Sequence, residues 1–320
     1  MSVMLLVVSY ASAAVFVGAV VYRFIRISRM PIHLRWELYP VAHETGRAAY
    51  GGSYLEELNW WTKPRRSSLV GELKVMVPEI VLLAGVWKHN RRHWLRSFPF
   101  HFGLYLLAGV MVLLVVGGVA VAGGARVSAQ AGLAGSLLFH LTGLLGFAGL
   151  GLSLLGAVAL LVRRACERDY REYTKHADYF NLLFFVAVFV VALAAHAVDD
   201  PHFAALRAHV ARLVTFDFSS AGAPSGSPTV LGAAEIVLVS LLLAYVPLTH
   251  MSHFFTKWFT YHAVRWNDEP NLPGGKIESE VAKVLQYPVS WSAPHIRGDG
   301  KKTWVDVASA GVEEEENEKP

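Results

Sequence analysis

A single cysteine, Cys166, stands in a chain of 320 residues. One thiol cannot close a disulfide within the chain, supply the four thiolates of an iron–sulfur cluster or form a C-x-x-C-H attachment site. Any electron carrier held here must be non-covalent and use other ligands. Charge is scarce as well: 17% of residues are charged against 54% hydrophobic. The apolar residues come in blocks, not at the spacing of an amphipathic soluble helix, and that profile belongs to an integral membrane protein. Acidic runs are absent apart from the tail GVEEEENEKP, which reads as a solvated charge run.

What is present is five apolar blocks, at 4–22, 98–122, 133–162, 180–198 and 230–255. Each reaches the length of about 20 residues that a hydrocarbon core requires, and in lipid each must be a helix. Arg23, Arg26 and Arg29 follow the first block and no cationic region precedes it, so it reads as a retained helix and not a signal peptide. Of the 29 Lys and Arg residues, 26 fall in 23–97, 163–179 and 256–320. Cytoplasmic loops keep such an excess, which places the N terminus outside and the C terminus inside. The basic residues are then topology signals, and the net charge of +4 gives no reason to expect a nucleic-acid partner. The expected fold is all-α, an integral membrane five-helix bundle. Its segments are a first transmembrane helix (1–26), a cytoplasmic docking loop with an interfacial helix (27–97), four transmembrane helices (98–255) and a cytoplasmic tail (256–320).

The stretch 27–97 contains WELYPVAHE, YGGSYLEELNWW and TKPRR and is too long and aromatic for a simple connector, since helix–helix connections run about 2–8 residues. Within it VMVPEIVLLAGVW is apolar but too short to span. It reads either as a helix on the membrane surface or as an internally packed one. On the opposite side stand GGARVSAQAG, a possible surface helix around 201–213 and the bland SSAGAPSGSPT.

Histidines carry the chemistry. Ionisable side chains inside a membrane cost about 2.5–3.5 kcal/mol for charged types, so those retained are functional candidates. At about 1.5 Å per residue, His101 and His253 match in depth near the basic side, and His140 and His196 match roughly near the other. Two imidazoles at one depth on different helices suit a b-type haem, which makes all four candidate iron ligands. A lone helical histidine is more often a packing residue, and the depth matching favours ligation mainly for the inner pair. His250 lies three residues from His253, about 60° around a helix, and suits a position beside the ligand or at a quinone site; His262 falls at the interface. Lys257 and Arg265 suit haem propionates, or ordinary snorkelling. Glu235 is the one acid inside a span and a candidate proton carrier for quinol chemistry, or a headgroup-facing residue at a helix start.

At FPFHFGLYLL, RRACERDYREYTKHADYFNLLF and YVPLTHMSHFFTKWFTYHAVRWNDEPN the chain resembles cytochrome b subunits related to the gamma subunit of respiratory nitrate reductase. It is most similar to the branch found with heterodisulfide-reductase-like iron–sulfur proteins, and WELYPVAHE belongs to that likeness. The resemblance implies haem b, a membrane quinone such as menaquinone, a cytoplasmic iron–sulfur partner among other membrane complex subunits, and a bacterial or archaeal cytoplasmic membrane. It matches His101 to the first histidine of the family's second helix and His253, six residues after Pro247, to the last of its fifth. Met111 and Glu235 stand at the family's other two ligand positions. A second haem is then either absent or held by His140 and His196.

The expected function is a haem b subunit relaying electrons between a quinone and a cytoplasmic iron–sulfur subunit, with any terminal reaction catalysed elsewhere in the complex. A haem-free anchor, a transporter and a dihaem cytochrome of the ferric reductase type are the rivals. The anchor has no reason to match histidines in depth. A transporter calls for intramembrane acids or broken helices, and the ferric reductase type calls for paired histidines on two helices only.

Overall fold

The computed structural model describes residues 2–30, 37, 39–44, 46, 52–64, 67–219, 228–293, 296 and 298–310. His33, Trp36, most of SSAGAPSGSPT and the acidic tail lie outside the described residues. Among those described, every helix or strand assigned is a helix: α1 Ser2–Ser28, α2 Leu69–Val81, α3 Ala84–His89, α4 Arg91–Ala122, α5 Leu133–Cys166, α6 Arg168–Arg171, α7 His176–Val198, α8 Ala204–Thr215, α9 Val230–Tyr245, α10 His253–Phe259, α11 Lys276–Leu285 and α12 Trp304–Ser309. Five helices are long and apolar enough to cross a membrane: α1, α4, α5, α7 and α9 with its 3-10 extension to Leu248. The chain is a multi-pass membrane protein.

The fifth apolar block departs from the expectation of one continuous helix. α9 stops at Tyr245, two 3-10 turns follow at Val246–Leu248 and His250–Ser252, and α10 begins at His253. Pro247 has no amide hydrogen to continue the ladder. Thr249 is extended, and its hydroxyl accepts from the Met251 amide at 3.1 Å in place of a helical carbonyl. His250 and His253 therefore do not share a helix face, and the 60° separation drawn from a continuous helix does not apply.

The chain divides into two compact units. The first comprises residues 1–21 and 73–252, the second residues 22–72 and 253–320.

In the first unit α4 pairs with α5, α5 with α7, and α7 with α9. Small residues let the α4–α5 backbones meet. A Cβ at Gly156 would lie 2.3 Å from the Phe100 amide nitrogen, and one at Gly103 2.5 Å from the Ser153 amide nitrogen. Lipid offers helices no hydrophobic drive to associate, so close backbone approach supplies the van der Waals energy instead. Beside this seam Phe100, Leu150, Phe185, Val188 and Phe189 form an apolar core.

α8, expected as a surface helix, is instead packed against α4, where its own Val210 joins Val110, Leu114 and Phe203 in a second core. Val110 is twelve residues from the Ala122 end of α4, roughly 18 Å along the axis, so α8 lies alongside the membrane-crossing stretch. Gly117 and Gly118 make room: a Cβ at Gly118 would lie 3.0 Å from the Ala211 amide. Phe203, at the N-cap of α8, has φ 57°, a left-handed conformation that costs a non-glycine residue roughly 1–2 kcal/mol. Its almost fully buried ring, stacked on His196 at 3.6 Å and pressed against Gly146, holds it there.

The second unit is organised by a pairing of two motifs distant in sequence. Glu37 and Tyr39 of WELYPVAHE meet the RWND segment: Trp266 Nε1 donates to Glu37 at 2.9 Å, Arg265 pairs with the same carboxylate at 3.0 Å, and Tyr39 donates to the Asn267 carbonyl. His43 and Tyr54 both bond Asp268. Glu44 is buried and accepts from the Val41 and Tyr54 amides and the Ser53 hydroxyl. Tyr261 and Trp266 are almost fully buried.

Candidate functional site

The buried polar groups of the first unit gather where α7, α8 and α9 meet. α7 ends at Val198 because Asp199, Asp200 and Pro201 follow, and a proline disfavours helical conformation in the residue before it. Asp200 then starts the next helix, its carboxylate accepting from the Ala204 and Ala205 amides at 2.7 and 3.0 Å. The same residue's carbonyl lies 2.9 Å from His196 Nδ1. A carbonyl can only accept, so Nδ1 carries a hydrogen.

The other ring nitrogen, Nε2, lies 2.8 Å from Glu235 Oε1, and both side chains are almost fully enclosed. With Nδ1 protonated, this contact holds one further proton. The pair is either a neutral imidazole accepting from a carboxylic acid, or an imidazolium donating to a carboxylate. Both forms have the same net charge, and moving the proton across 2.8 Å interconverts them. A buried pair of this kind, fixed by Asp200 behind and Phe203 on its face, can take up or release a proton without rearrangement of its neighbours.

Glu235 and Ala195 line a cavity of about 300 Å³ that also includes Asp199, Asp200, Thr229 and Ile236. Thr229 caps α9 by accepting from the Gly232 amide, and its hydroxyl donates to Asp199 at 2.6 Å. The cavity thus has the Glu235 side chain on one wall and two further carboxylates among its lining residues.

The remaining candidates are spread more widely. His101 is half-buried on α4, with Nδ1 2.8 Å from the Ser97 carbonyl one turn earlier. Donation from Nδ1 puts the lone pair on Nε2, the tautomer that iron ligation requires. His101 belongs to the first unit, while His253, which is exposed and opens α10, belongs to the second together with Lys257 and Arg265. Arg265 pairs with Glu37 and lies over the Tyr261 ring at 4.8 Å. His250 is exposed, 3.8 Å from Asp178. His140 is exposed on α5, against the edge of Phe139, whereas His196 is enclosed. The structure engages both His196 nitrogens, so using His196 as an iron ligand would require breaking its bond to Glu235. Among the described residues no cluster of three or more His, Cys, Asp or Glu side chains has the spacing of a metal site. Axial ligation of a haem iron asks only for single imidazoles.

Sequence reasoning missed a second polar chain in the same unit. His209 of α8 is buried with Nε2 3.0 Å from the Ser9 hydroxyl of α1, and Ser9 is 3.3 Å from Ser240 of α9. Burial, and then the nearby Arg212, push the His209 pKa down to about 4. Arg207 is also buried, its side chain against Gly117 and its Nε without a hydrogen-bond partner. The available signal was the spacing of Arg207, Val210 and Ala211, which puts basic and small residues on the face that meets Gly117 and Gly118.

Comparison with family models, characterised proteins and solved structures finds no match to this chain.

Proposed function

We propose that this chain is the membrane subunit of a respiratory redox complex, passing electrons between a membrane quinone and a cytoplasmic iron–sulfur partner through b-type haem. The observation that carries the reading is the buried His196–Glu235 pair beside its cavity. Oxidising a quinol to a quinone releases two electrons and two protons. In the imidazolium–carboxylate form of the pair, the Glu235 carboxylate is positioned to accept one hydroxyl proton while His196 Nε2 keeps its hydrogen bond to Oε1. Asp199 and Asp200, lining the same cavity, offer the next acceptors toward solvent. The electrons need a separate carrier, and haem supplies one-electron redox chemistry when bound. His101 has the tautomer that binding a haem iron would require, and His253 would be the second ligand, as the family resemblance implies.

The positive-inside distribution puts the N terminus outside and the His196–Glu235 end of the bundle on the outer side of the cytoplasmic membrane. Protons leaving quinol there are released outside while electrons move inward. The same buried acid favours one rival, a proton-coupled transporter, and haem content separates the two.

The test is a reduced-minus-oxidised spectrum with a haem-to-protein ratio on the complex purified from its native membrane. We expect a b-type signal that His101→Ala removes or halves while the protein remains inserted. Glu235→Gln should keep the haem and slow its reduction by quinol at least about a hundredfold, the low end of what removal of a proton acceptor produces. Absence of haem from the intact complex would overturn the reading.

A further inference from the structure

The other end of the first unit holds a second unassigned pocket. It measures about 480 Å³ and is lined by Asn90, Arg92, Leu95, Arg96, Arg163 and Glu167, at the arginine-rich ends of α4 and α5. Three guanidiniums face one carboxylate. Glu167 bonds Arg163 Nε at 2.7 Å and Arg96 at 3.3 Å, and these contacts hold its carboxyl below the usual range, so it is ionised. The lining therefore carries a net charge of about +2, counting Arg as always protonated.

Arg163 is the informative member. Its side chain is 7% exposed, Glu167 takes its Nε, and the Tyr170 ring lies 3.9 Å from its Cζ. Its Nη1 is buried with no hydrogen-bond partner. That nitrogen is closed off from the pocket, and Arg163 acts on a bound anion through the charge of its buried guanidinium, whose carboxylate Glu167 is shared with Arg96. Arg96 is half-exposed, with Nη1 on the Arg92 carbonyl. Leu95, between the two arginines in sequence, is 64% exposed and adds an apolar wall.

We propose that this pocket binds the phosphate of an anionic lipid headgroup. The guanidinium fork matches phosphate oxygens in geometry as well as charge. The site stands where spanning helices reach their basic ends, the level at which headgroup phosphates lie and where basic pockets between helices hold them. Leu95 offers the glycerol and first acyl carbons a surface that an inorganic anion would not use. The site is separate from the His196–Glu235 cavity, and its failure would leave that reading untouched.

The experiment uses the full-length chain in detergent, stripped of lipid and titrated with phosphatidylglycerol or phosphatidylcholine of the same acyl chains, with bound lipid counted by native mass spectrometry. Phosphatidylglycerol should bind about tenfold more tightly, and Arg92→Gln, an exposed substitution that spares the helix packing, should remove most of that preference. Arg163→Gln should remove it entirely if that variant folds. Equal binding of the two lipids, or an unchanged preference in Arg92→Gln, overturns the proposal. Displacement of phosphatidylglycerol by millimolar inorganic phosphate would assign the pocket to a free anion and overturn the lipid reading.

Discussion

Lowering the pH should loosen the contact between α1 and α8 through one side chain, His209. Its ring is buried against Ser9, and burial together with Arg212 lowers its pKa from 6.5 to about 4. In the unfolded chain the imidazole regains the ordinary value, so between these limits the unfolded state binds more protons than the folded one. Stability then rises with pH across that window, and it is lost as pH falls from 6.5 toward about 4. Each pKa unit corresponds to about 1.4 kcal/mol, which sets an upper bound of roughly 3.5 kcal/mol for the whole window. The assay is denaturant unfolding of the detergent-solubilised protein at a series of pH values, for the wild type and for His209→Gln. Carboxylates titrate in the same range, so the informative quantity is the difference between the two curves. His209→Gln should lose up to that amount less on acidification. Parallel curves would refute the argument, because they would mean that the ring is either already solvated or protonated in place without cost.

Two further perturbations test the packing and the cytoplasmic surface. Gly156→Val drives a side chain into the Phe100 backbone, where even a Cβ comes to 2.3 Å, and should cost more than about 3 kcal/mol, whereas Gly151→Val on the same helix meets nothing within 4 Å and should be nearly neutral in unfolding assays. If a cluster-bearing partner docks on the loop that holds the second unit's exposed aromatics, replacing Leu58 and Trp61 (82% and 45% exposed) by alanine should weaken co-purification of that partner by about thirtyfold, the effect of one interface hot spot, while haem content is kept. These two substitutions leave the buried Glu44 and its contacts in place.

The spans were legible because bilayer thickness imposes a length and a composition that no neighbour needs to supply. The break after Tyr245 was legible in principle, since Pro247 and Thr249 are both unfavourable to a continuing helix, but the apolar run on either side outweighed them. The sequence offers a possible surface helix around 201–213, and the structure buries Arg207, His209 and Val210 of it. Gly117 and Gly118 on α4, far earlier in the chain, decide this, and glycine spacing on one helix does not name the helix that will fill it.

The candidate site shows the same division most sharply. His196 and Glu235 were each singled out, one as an iron ligand and one as a proton carrier, because depth along a helix is readable from a single sequence while the direction a side chain takes around it is not. Rotation about α7 and α9 brings them 2.8 Å apart, 39 residues distant in the chain. Depth matching paired His196 with His140 instead, although His140 is exposed on α5. Equal depth is a necessary condition for two groups to share a ligand, but it selects a ring of positions around the bundle. Burial selects within that ring, and here it favours a carboxylate as the partner of His196. An imidazole whose two nitrogens already hold a carbonyl and a carboxyl gains little from iron and much from a proton, which is why the proton-transfer role for His196 follows more directly from the fold than the ligand role that its depth suggested.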